Sequence, residues 1–270
     1  MTTHGLHIWA VLNLTPDSFF QKSRTGEHDF VERSLQALQT GADVIDVGAE
    51  SSRPSSQEIS HEEEWTRLQP LLALKKEIGS QKFKQCISLD TYKPETAKKA
   101  LELGAGIIND IRAGESDELV NAVATHKAKI VLMHAQGRPK NMQDNPDYDN
   151  VVNEVLSFLK ERTAKCIDAG ILPENIIWDP GIGFGKTLEH NLTLLKNVSL
   201  FLKESHKLML GISRKSFIGK LLKVEDMEQR LGPTIAFHTY LALQGVDILR
   251  VHDVESALQV KKITKELTLP

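Results

Sequence analysis

The segment PETAKKALELGAGIIND (Pro94–Asp110) predicts a helix followed at once by a short strand. Pro94 suits the first turn of a helix, and Gly104 suits the left-handed position just beyond the end of one. The run Gly106–Asp110 is apolar and rich in β-branched residues until its last two positions, which are polar. A helix that leads directly into a strand is part of the βαβ unit from which parallel sheets are built.

The same alternation continues along the whole chain. Short apolar runs are predicted to be strands at Ile8–Asn13, Asp43–Gly48, Gln85–Asp90, Gly106–Asp110, Lys129–His134, Asn175–Asp179, Lys207–Ile212 and Asp247–Val251. Longer segments of helical period are predicted to be helices at Phe30–Thr40, His61–Ile78, Pro94–Leu103, Asp117–His126, Asn150–Ala169, Leu188–Ser205, Gln229–Gln244 and Val254–Leu267. About eight such units close a barrel, so we predict an α/β fold of the (β/α)8 TIM-barrel class. A doubly wound open sheet is the structural alternative.

Length and composition indicate a globular protein of one domain. The chain has 270 residues, of which 40% are hydrophobic and 26% charged, and no Pro/Gly/Ser-rich linker divides residues 1–270. The net charge of −3 gives no reason to expect nucleic acid or an anionic membrane as a partner. Cys86 and Cys166 lie too far apart for a CxxC zinc motif. Without a signal peptide pattern or an apolar run of about 18 residues, a reducing cytoplasmic setting is expected.

Polar side chains stand at the carboxyl ends of nearly all of the predicted strands, which is the face where parallel barrels build their sites. The acidic and amide members suit the N–H and C=O edge of a planar heterocycle, and they are Asp90, Asn109 and Asp179. The basic members suit phosphate oxygens, and they are Arg53, Lys215, Arg250 and His252. The rim therefore predicts a substrate in which a heterocycle is joined to an anionic group.

The glycine-rich segment Gly181–Thr187 is similar to a phosphate-binding P-loop but does not match it. A P-loop needs a glycine at the position of Pro180. We interpret this segment as a flexible loop after a strand, where glycines let the backbone approach a ligand.

Motifs along the whole chain resemble the dihydropteroate synthase family of the folate pathway. In order, they are Asn13–Phe19, Ile45–Pro54, Ser88–Thr91, Ile108–Ile111, Leu132–His134, Asp179–Lys186, Ser213–Ser216 and Arg250–Asp253. Each motif alone is modest evidence, but all of them in order and at barrel spacing are highly specific. The resemblance implies a (β/α)8 barrel, usually a homodimer, that joins 6-hydroxymethyl-7,8-dihydropterin diphosphate to p-aminobenzoate. Diphosphate leaves with the assistance of Mg²⁺, and sulfonamides mimic the aminobenzoate.

The resemblance also implies a role for each matching residue. The pterin would be held by Asp90, Asn109, Asp179 and Lys215, with Met133 packed near its ring. The diphosphate would be held by Asn13, Ser52, Arg250 and His252, and Asn13 would also reach Mg²⁺. The aminobenzoate pocket would be shaped by Phe19, Ser52, Pro54, Phe184, Lys215 and Ser216. We add Asp46 and Arg53 to the substrate-binding set, and we expect catalysis to depend on Asp90, Asp179, Lys215, Arg250 and His252.

The first loop departs from the usual family pattern, because Gln21 stands where relatives commonly have a second aspartate. Ser52 replaces a common threonine but keeps the hydroxyl, and Ala135 replaces a common methionine. A pterin-binding paralogue that has little or no synthase turnover, because of Gln21 and the altered first loop, is therefore one alternative. A folate-dependent methyltransferase on the same barrel is a separate alternative.

Overall fold

The computed structural model describes residues 5–15, 26–50, 57–137, 142 and 146–268. Eight parallel strands form a closed barrel in sequential order, which confirms the predicted (β/α)8 class. The strands are β1 (His7–Asn13), β2 (Val44–Gly48), β3 (Ile87–Asp90), β4 (Ile107–Asp110), β5 (Lys129–Met133), β6 (Ile176–Asp179), β7 (Lys207–Leu210) and β8 (Ile248–Val251). Strand β8 pairs with β1, with His7 opposite Ile248, so the sheet has no open edge.

Helices follow the strands and cover the outside of the barrel. They are α1 (Gly26–Thr40), α2 (His61–Arg67), α3 (Pro70–Ile78), α4 (Ser80–Cys86), α5 (Pro94–Leu103), α6 (Asp117–Thr125), α7 (Val151–Asp168), α8 (Leu188–Lys196), α9 (Val198–Phe201), α10 (Ser216–Leu222), α11 (Leu231–Gln244) and α12 (Val254–Thr268). Helix α5 has the predicted ends, since Pro94 lies in its first turn and Gly104 is left-handed with φ of 105°. No helix in the described part of the chain has the length and apolar character to cross a bilayer.

Two predicted helices are interrupted in the structure. The segment His61–Ile78 divides into α2 and α3, because Pro70 lacks an amide hydrogen and begins a new helix. The segment Leu188–Ser205 divides into α8 and α9 at Asn197, whose side chain donates to the Thr193 carbonyl at 2.9 Å. The strand predicted from Gln85 begins at Ile87, because the two preceding residues end α4, a helix that the pattern did not predict.

The barrel interior contains one compact apolar layer, which consists of Trp9, Val44, Ile107, Val131, Ile177, Met209 and Ile248. The residues between them on each strand face outward and pack against the helices in the main core. Strand β3 contributes the buried Ser88 to the inner face instead of an apolar residue. This layer forms the floor of the cavity that opens at the carboxyl ends of the strands.

Burial of His238 in α11 predicts that the protein loses stability in acid. The imidazole is buried, its Nε2 has no partner among the described residues, and burial lowers its pKa to about 4, against a weaker opposing effect of Asp253. A histidine whose folded pKa is depressed contributes stability above its unfolded pKa near 6.5 and loses it as the pH falls towards 4. The loss from this group is on the order of 2–3 kcal/mol.

Urea unfolding between pH 4 and 7 checks this prediction by comparing the native chain with His238→Gln. As the pH falls over that range, the native protein should lose more unfolding free energy than the variant. Parallel curves for the two proteins would contradict it.

Candidate active site

Side-chain alternation places polar residues from most of the strands at the mouth of the barrel. On the face that supplies the apolar floor, the residues nearest the carboxyl ends of the strands are polar or flexible. They are Asn13, Asp46, Asp90, Asn109, Met133, Asp179 and Arg250. Because successive residues of a strand point to opposite faces, all of these side chains enter one cavity. The structure therefore brings together residues that lie more than two hundred positions apart in sequence.

Arg250 joins the acidic residues on one side of this cavity. Its Nε donates to Asp46 Oδ2 at 2.6 Å, and one terminal nitrogen donates to Asp90 Oδ2 at 2.7 Å. Asn109 Nδ2 donates to the same Asp46 oxygen at 2.9 Å. Asp46 is fully buried and its Oδ1 has no partner among the described residues. Asp46 thus orients the arginine and the carboxamide from beneath, and only their outer faces are left for a ligand.

The electrostatics of this group favour a ligand that donates hydrogen bonds. Burial raises the pKa of Asp90 to about 7, although Arg250 opposes the rise, and the nearby Asp46 adds to it. Burial works against the charge of Arg250, yet Asp46 and Asp90 raise its pKa further above its ordinary value. The arginine is therefore permanently charged, and its direct contact favours the charged form of Asp90, which accepts hydrogen bonds.

Lys215 and Asp179 line the cavity on the side of β6 and β7. Burial raises the pKa of Asp179, and Lys215 is the main group that opposes this rise. Burial lowers the pKa of Lys215 to about 8, again opposed by Asp179. Asp179 Oδ1 accepts from the Gly181 amide at 2.8 Å, and Lys215 Nζ donates to the Ile182 carbonyl at 2.5 Å.

Comparison with known proteins agrees with this geometry. A family model described as pterin binding enzyme matches residues 9–252. The dihydropteroate synthase of Escherichia coli K12 is 41% identical over 263 residues, which cover 96% of this chain and 90% of that protein. The chain belongs to the dihydropteroate synthase family.

Solved structures of family members superimpose closely on the barrel. A Yersinia pestis dihydropteroate synthase in complex with a sulfonamide drug has a TM-score of 0.90 at 34% identity, covering 99% of this chain and 96% of that one. A Xanthomonas albilineans dihydropteroate synthase with 4-aminobenzoic acid has a TM-score of 0.89 at 34% identity, covering all of this chain and 96% of that one. The likeness therefore extends over the whole barrel, including all of its strand ends.

Further residues predicted from the family motifs surround the same cavity. Met133 lies beside Asp179 in the β5–β6 pairing, and its side chain approaches the backbone at Gly181. The ring of Phe184 lies 4.4 Å from Lys215 Nζ. Ser216 is exposed at the start of α10, and His252 is exposed just beyond β8, where its amide donates to Ser213 Oγ at 3.3 Å. The predicted residues outside the described part of the chain are Phe19, Ser52, Arg53 and Pro54.

Arg214 has a role that the sequence pattern did not predict. Its guanidinium makes a two-pronged contact with the Asp253 carboxylate at 2.9 and 2.7 Å, and it pairs with Glu228 at 2.8 Å. Its backbone is left-handed, with φ of 55°, an uncommon conformation for a residue with a side chain. This basic residue therefore ties the loop after β7 to the loop after β8, the two loops that carry Lys215 and His252.

A second network lies outside the cavity at the base of the loop after β2. Lys93 pairs with Glu50 and, at 3.7 Å, with the buried Glu64, while Tyr92 Oη lies 2.8 Å from Glu50 Oε1. Thr96 also donates to Glu64 at 2.7 Å. None of these residues was predicted as a site residue, because their partners lie 29 to 43 positions apart in sequence.

Proposed function

We propose that this chain is a dihydropteroate synthase that condenses 6-hydroxymethyl-7,8-dihydropterin diphosphate with p-aminobenzoate to give 7,8-dihydropteroate and diphosphate. The observation that carries the proposal is the single cavity that Asp90, Asn109 and Asp179 line together with Lys215 and Arg250. Such a cavity matches a substrate with a hydrogen-bonding heterocycle at one end and a polyanion at the other.

The acidic and amide groups would hold the pterin ring. Carboxylate oxygens of Asp90 and Asp179 accept hydrogen bonds from ring N–H and amino groups, and Asn109 can both donate and accept. Lys215 would donate to an acceptor atom of the ring. All four groups are oriented in advance by strands or buried partners, so little freedom is lost when the ligand binds.

The cationic groups would promote departure of the diphosphate. The C–O bond between the pterin methylene carbon and the diphosphate breaks, and both electrons leave with the oxygen. Arg250 and His252 would stabilise the charge that develops there, while the electron-rich dihydropterin would stabilise the carbocation with Asp179 and Asp90 close to its ring. The aminobenzoate nitrogen then forms the new C–N bond and releases one proton, a step that needs orientation more than a strong base.

The family resemblance implies Mg²⁺, and the donors at the end of β1 fit a lightly held ion. Asn13 lies opposite Gly48, where an added Cβ would be 3.0 Å from Asn13 Oδ1 and 3.6 Å from Asp90 Cβ. Among the described residues, no three acidic, histidine or cysteine side chains cluster to form a protein cage for a metal. Magnesium commonly binds through one or two protein oxygens together with substrate phosphates, so Asn13 is the residue proposed to hold it. The ion would neutralise charge on the leaving diphosphate.

Thiol chemistry has no part in the proposed mechanism. Cys86 and Cys166 are free and buried, and burial raises the pKa of the Cys166 thiol to about 11. Neither thiol is on the inner face of the barrel, since Cys86 precedes β3 and Cys166 lies in α7. The proposed reaction is therefore a direct transfer without a covalent enzyme intermediate.

The pocket for p-aminobenzoate, and for sulfonamides as its competitive mimics, is proposed next to the pterin. Phe184, Lys215 and Ser216 border the cavity on the side of β6 and β7. Family resemblance adds Phe19, Ser52 and Pro54 from the two loops after β1 and β2. An aromatic acid suits this position, since a ring can pack on Phe184 while its carboxylate approaches polar groups at the start of α10.

Assays of diphosphate release test the proposed function directly. The chain, the pterin diphosphate, p-aminobenzoate and Mg²⁺ should together release one diphosphate for each dihydropteroate formed. Pterin binding without diphosphate release from folded protein would favour a paralogue that has lost turnover. Methyl transfer from a methylated folate to a corrinoid, without diphosphate release, would favour the methyltransferase alternative.

A homodimer is proposed because the last helices expose apolar side chains. Helix α11 is apolar on most of its surface, with Tyr240 and Leu243 about 40–45% exposed, and Ile263 and Leu267 are still more exposed on α12. An apolar outer surface on neighbouring helices is typical of a face covered by another subunit. A second copy of this chain is the occupant that the family resemblance implies.

Light scattering during gel filtration tests the proposed dimer by comparing the molar mass of the native protein with that of Leu243→Arg. The native protein should have twice the chain mass of 30.2 kDa, and the variant should approach the mass of one chain because each interface would bury two unpaired charges. Leu172→Arg is the matched control, because Leu172 is 52% exposed before β6, at the opposite end of the barrel from the site. A dimeric Leu243→Arg protein would remove this face from the interface.

A further inference from the structure

The loop between β6 and α8, residues 180–187, is folded around the side chain of Lys186. This lysine is only 2% exposed. Its Nζ lies 2.9 Å from His134 Nδ1, 3.0 Å from the Gly181 carbonyl oxygen and 3.0 Å from the Phe184 carbonyl oxygen. The His134 carbonyl oxygen is 3.3 Å away. Four acceptors therefore surround an ammonium group that has three hydrogens.

The imidazole of His134 is neutral, because it is buried and lies beside the ammonium group of Lys186. Burial lowers the pKa of His134 to about 3, and the neighbouring Lys186 contributes to this shift. Burial lowers the pKa of Lys186 to about 7, and Asp179 opposes this shift. The carbonyl oxygens around Lys186 Nζ favour its charged form, so we assign Lys186 as the donor, His134 Nδ1 as the acceptor and the ring proton to Nε2. His134 is held in turn by aromatic neighbours, since the Phe158 ring meets it edge-on with centroids 4.9 Å apart.

Glycines allow the loop to lie directly on the backbone that follows β5. Gly181 has φ of 68°, and a Cβ there would be 1.8 Å from the His134 carbonyl oxygen. Gly185 has φ of 59°, and a Cβ there would be 2.2 Å from the Gln136 carbonyl oxygen. No side chain fits at either position, so the loop carbonyls can turn inward to Lys186. Asp179 and Asn191 accept the amides of Gly181 and Gly183 at 2.8 and 2.7 Å.

The held loop supplies both of the groups that contact Lys215 from this side. The Ile182 carbonyl accepts from Lys215 Nζ, and the Phe184 ring lies over the same ammonium. Ile182 follows Gly181, and Phe184 has its own carbonyl on Lys186, so each group is fixed by a peptide that the buried ammonium binds. Gly183 lies between them, where a Cβ would be 3.2 Å from Lys215 Cδ.

We propose that Lys186 is a positioning residue: its buried ammonium holds the loop so that the Ile182 carbonyl and the Phe184 ring define the place of Lys215 and one wall of the aminobenzoate pocket. Direct phosphate binding by Lys186, as in a P-loop, is excluded because its ammonium is surrounded by protein acceptors and is not accessible. The effect on turnover rests on the proposed function, whereas the effect on loop geometry does not.

Kinetics of Lys186→Met test this role, since methionine keeps most of the length of the side chain and removes every donor. We expect the KM for p-aminobenzoate to rise at least tenfold. The KM for the pterin diphosphate should rise as well, because Lys215, which the loop positions, is also proposed to hold the pterin. Lys75→Met is the matched control, because Lys75 Nζ also donates to a carbonyl, that of Leu103 at 2.6 Å, at the far end of the barrel. Lower thermal stability with both KM values unchanged would overturn the proposal.

A second pair of variants keeps the test valid if Lys186→Met does not fold. His134→Leu removes one acceptor from Lys186, and His134→Asn offers an amide oxygen near the position of Nδ1. The leucine variant should raise the KM for p-aminobenzoate at least threefold, and the asparagine variant should restore it. Equal KM values in the two variants would contradict the proposed role.

A crystal structure of Lys186→Met, or of His134→Leu if the former does not fold, separates this inference from the function itself. The contact between Lys215 Nζ and the Ile182 oxygen should be lost, and the Phe184 ring should move away from the ammonium, whatever reaction the protein catalyses. An unchanged loop with that contact intact would refute the inference. Absence of diphosphate release by the native protein would instead refute the proposed function. The crystal structure of the variant would then still decide whether Lys186 positions the loop.

Discussion

Asp179→Asn is expected to lower kcat/KM between tenfold and about two hundredfold while the barrel remains folded. The substitution keeps the size of the side chain and an oxygen that can accept from the Gly181 amide. It removes the negative charge that faces Lys215 and the acceptor proposed for the pterin N–H groups. A hydrogen bond to a charged group contributes about 1.5–3 kcal/mol, and each 1.4 kcal/mol corresponds to a factor of ten in rate.

Steady-state kinetics measures this loss, and Asp110→Asn is its matched control. Asp110 is buried one residue beyond Asn109, but it faces away from the cavity and accepts the amides of Arg112 and Gly114 at 2.8 and 2.7 Å. Its replacement should lower stability and leave the KM for the pterin diphosphate within threefold of the native value. If Asp179→Asn retained the native rate, this carboxylate would have no part in the reaction.

Lys215→Ala is expected to have an equal or larger effect, at least a hundredfold in kcat/KM. Lys215 is the main group that opposes the rise in the pKa of Asp179 caused by burial. Without Lys215, Asp179 should hold its proton to a higher pH, so the acid limb of the pH–rate profile should shift to higher pH. The sign follows because loss of a nearby cation disfavours the charged carboxylate.

A pH series of kcat/KM measures that displacement, with Lys220→Ala as the control on the same helix. Lys220 is exposed on α10 and should give native kinetics. The double variant Asp179→Asn, Lys215→Ala should lose less transition-state stabilisation than the two single variants lose in sum, since both substitutions act on one ion pair. Fully additive losses would show that Asp179 and Lys215 act independently.

Most of the cavity was predictable because it depends on one local rule. In parallel strands of a closed barrel, the side chains near each carboxyl end that point inward share a single face. Asp90, Asn109 and Asp179 could therefore be placed together from the ends of their apolar runs alone. The same rule does not tell which of two buried carboxylates faces a ligand, and Asp46, predicted to bind substrate, contacts Arg250 and Asn109 from beneath.

The sequence by itself determined the eight alternating units, the parallel order of the strands and the chemistry at their ends, because period, capping residues and turn residues act over a few positions. Only the tertiary structure decided that Arg214 pairs with Asp253, that Lys93 pairs with Glu50, and that Lys186 is buried against His134. These partners lie 39, 43 and 52 positions apart, and a charged side chain carries no local signal of the partner that will compensate for its burial. The sequence pattern therefore predicted a flexible glycine-rich loop, whereas in the structure Lys186, a residue of the same loop, holds it in place.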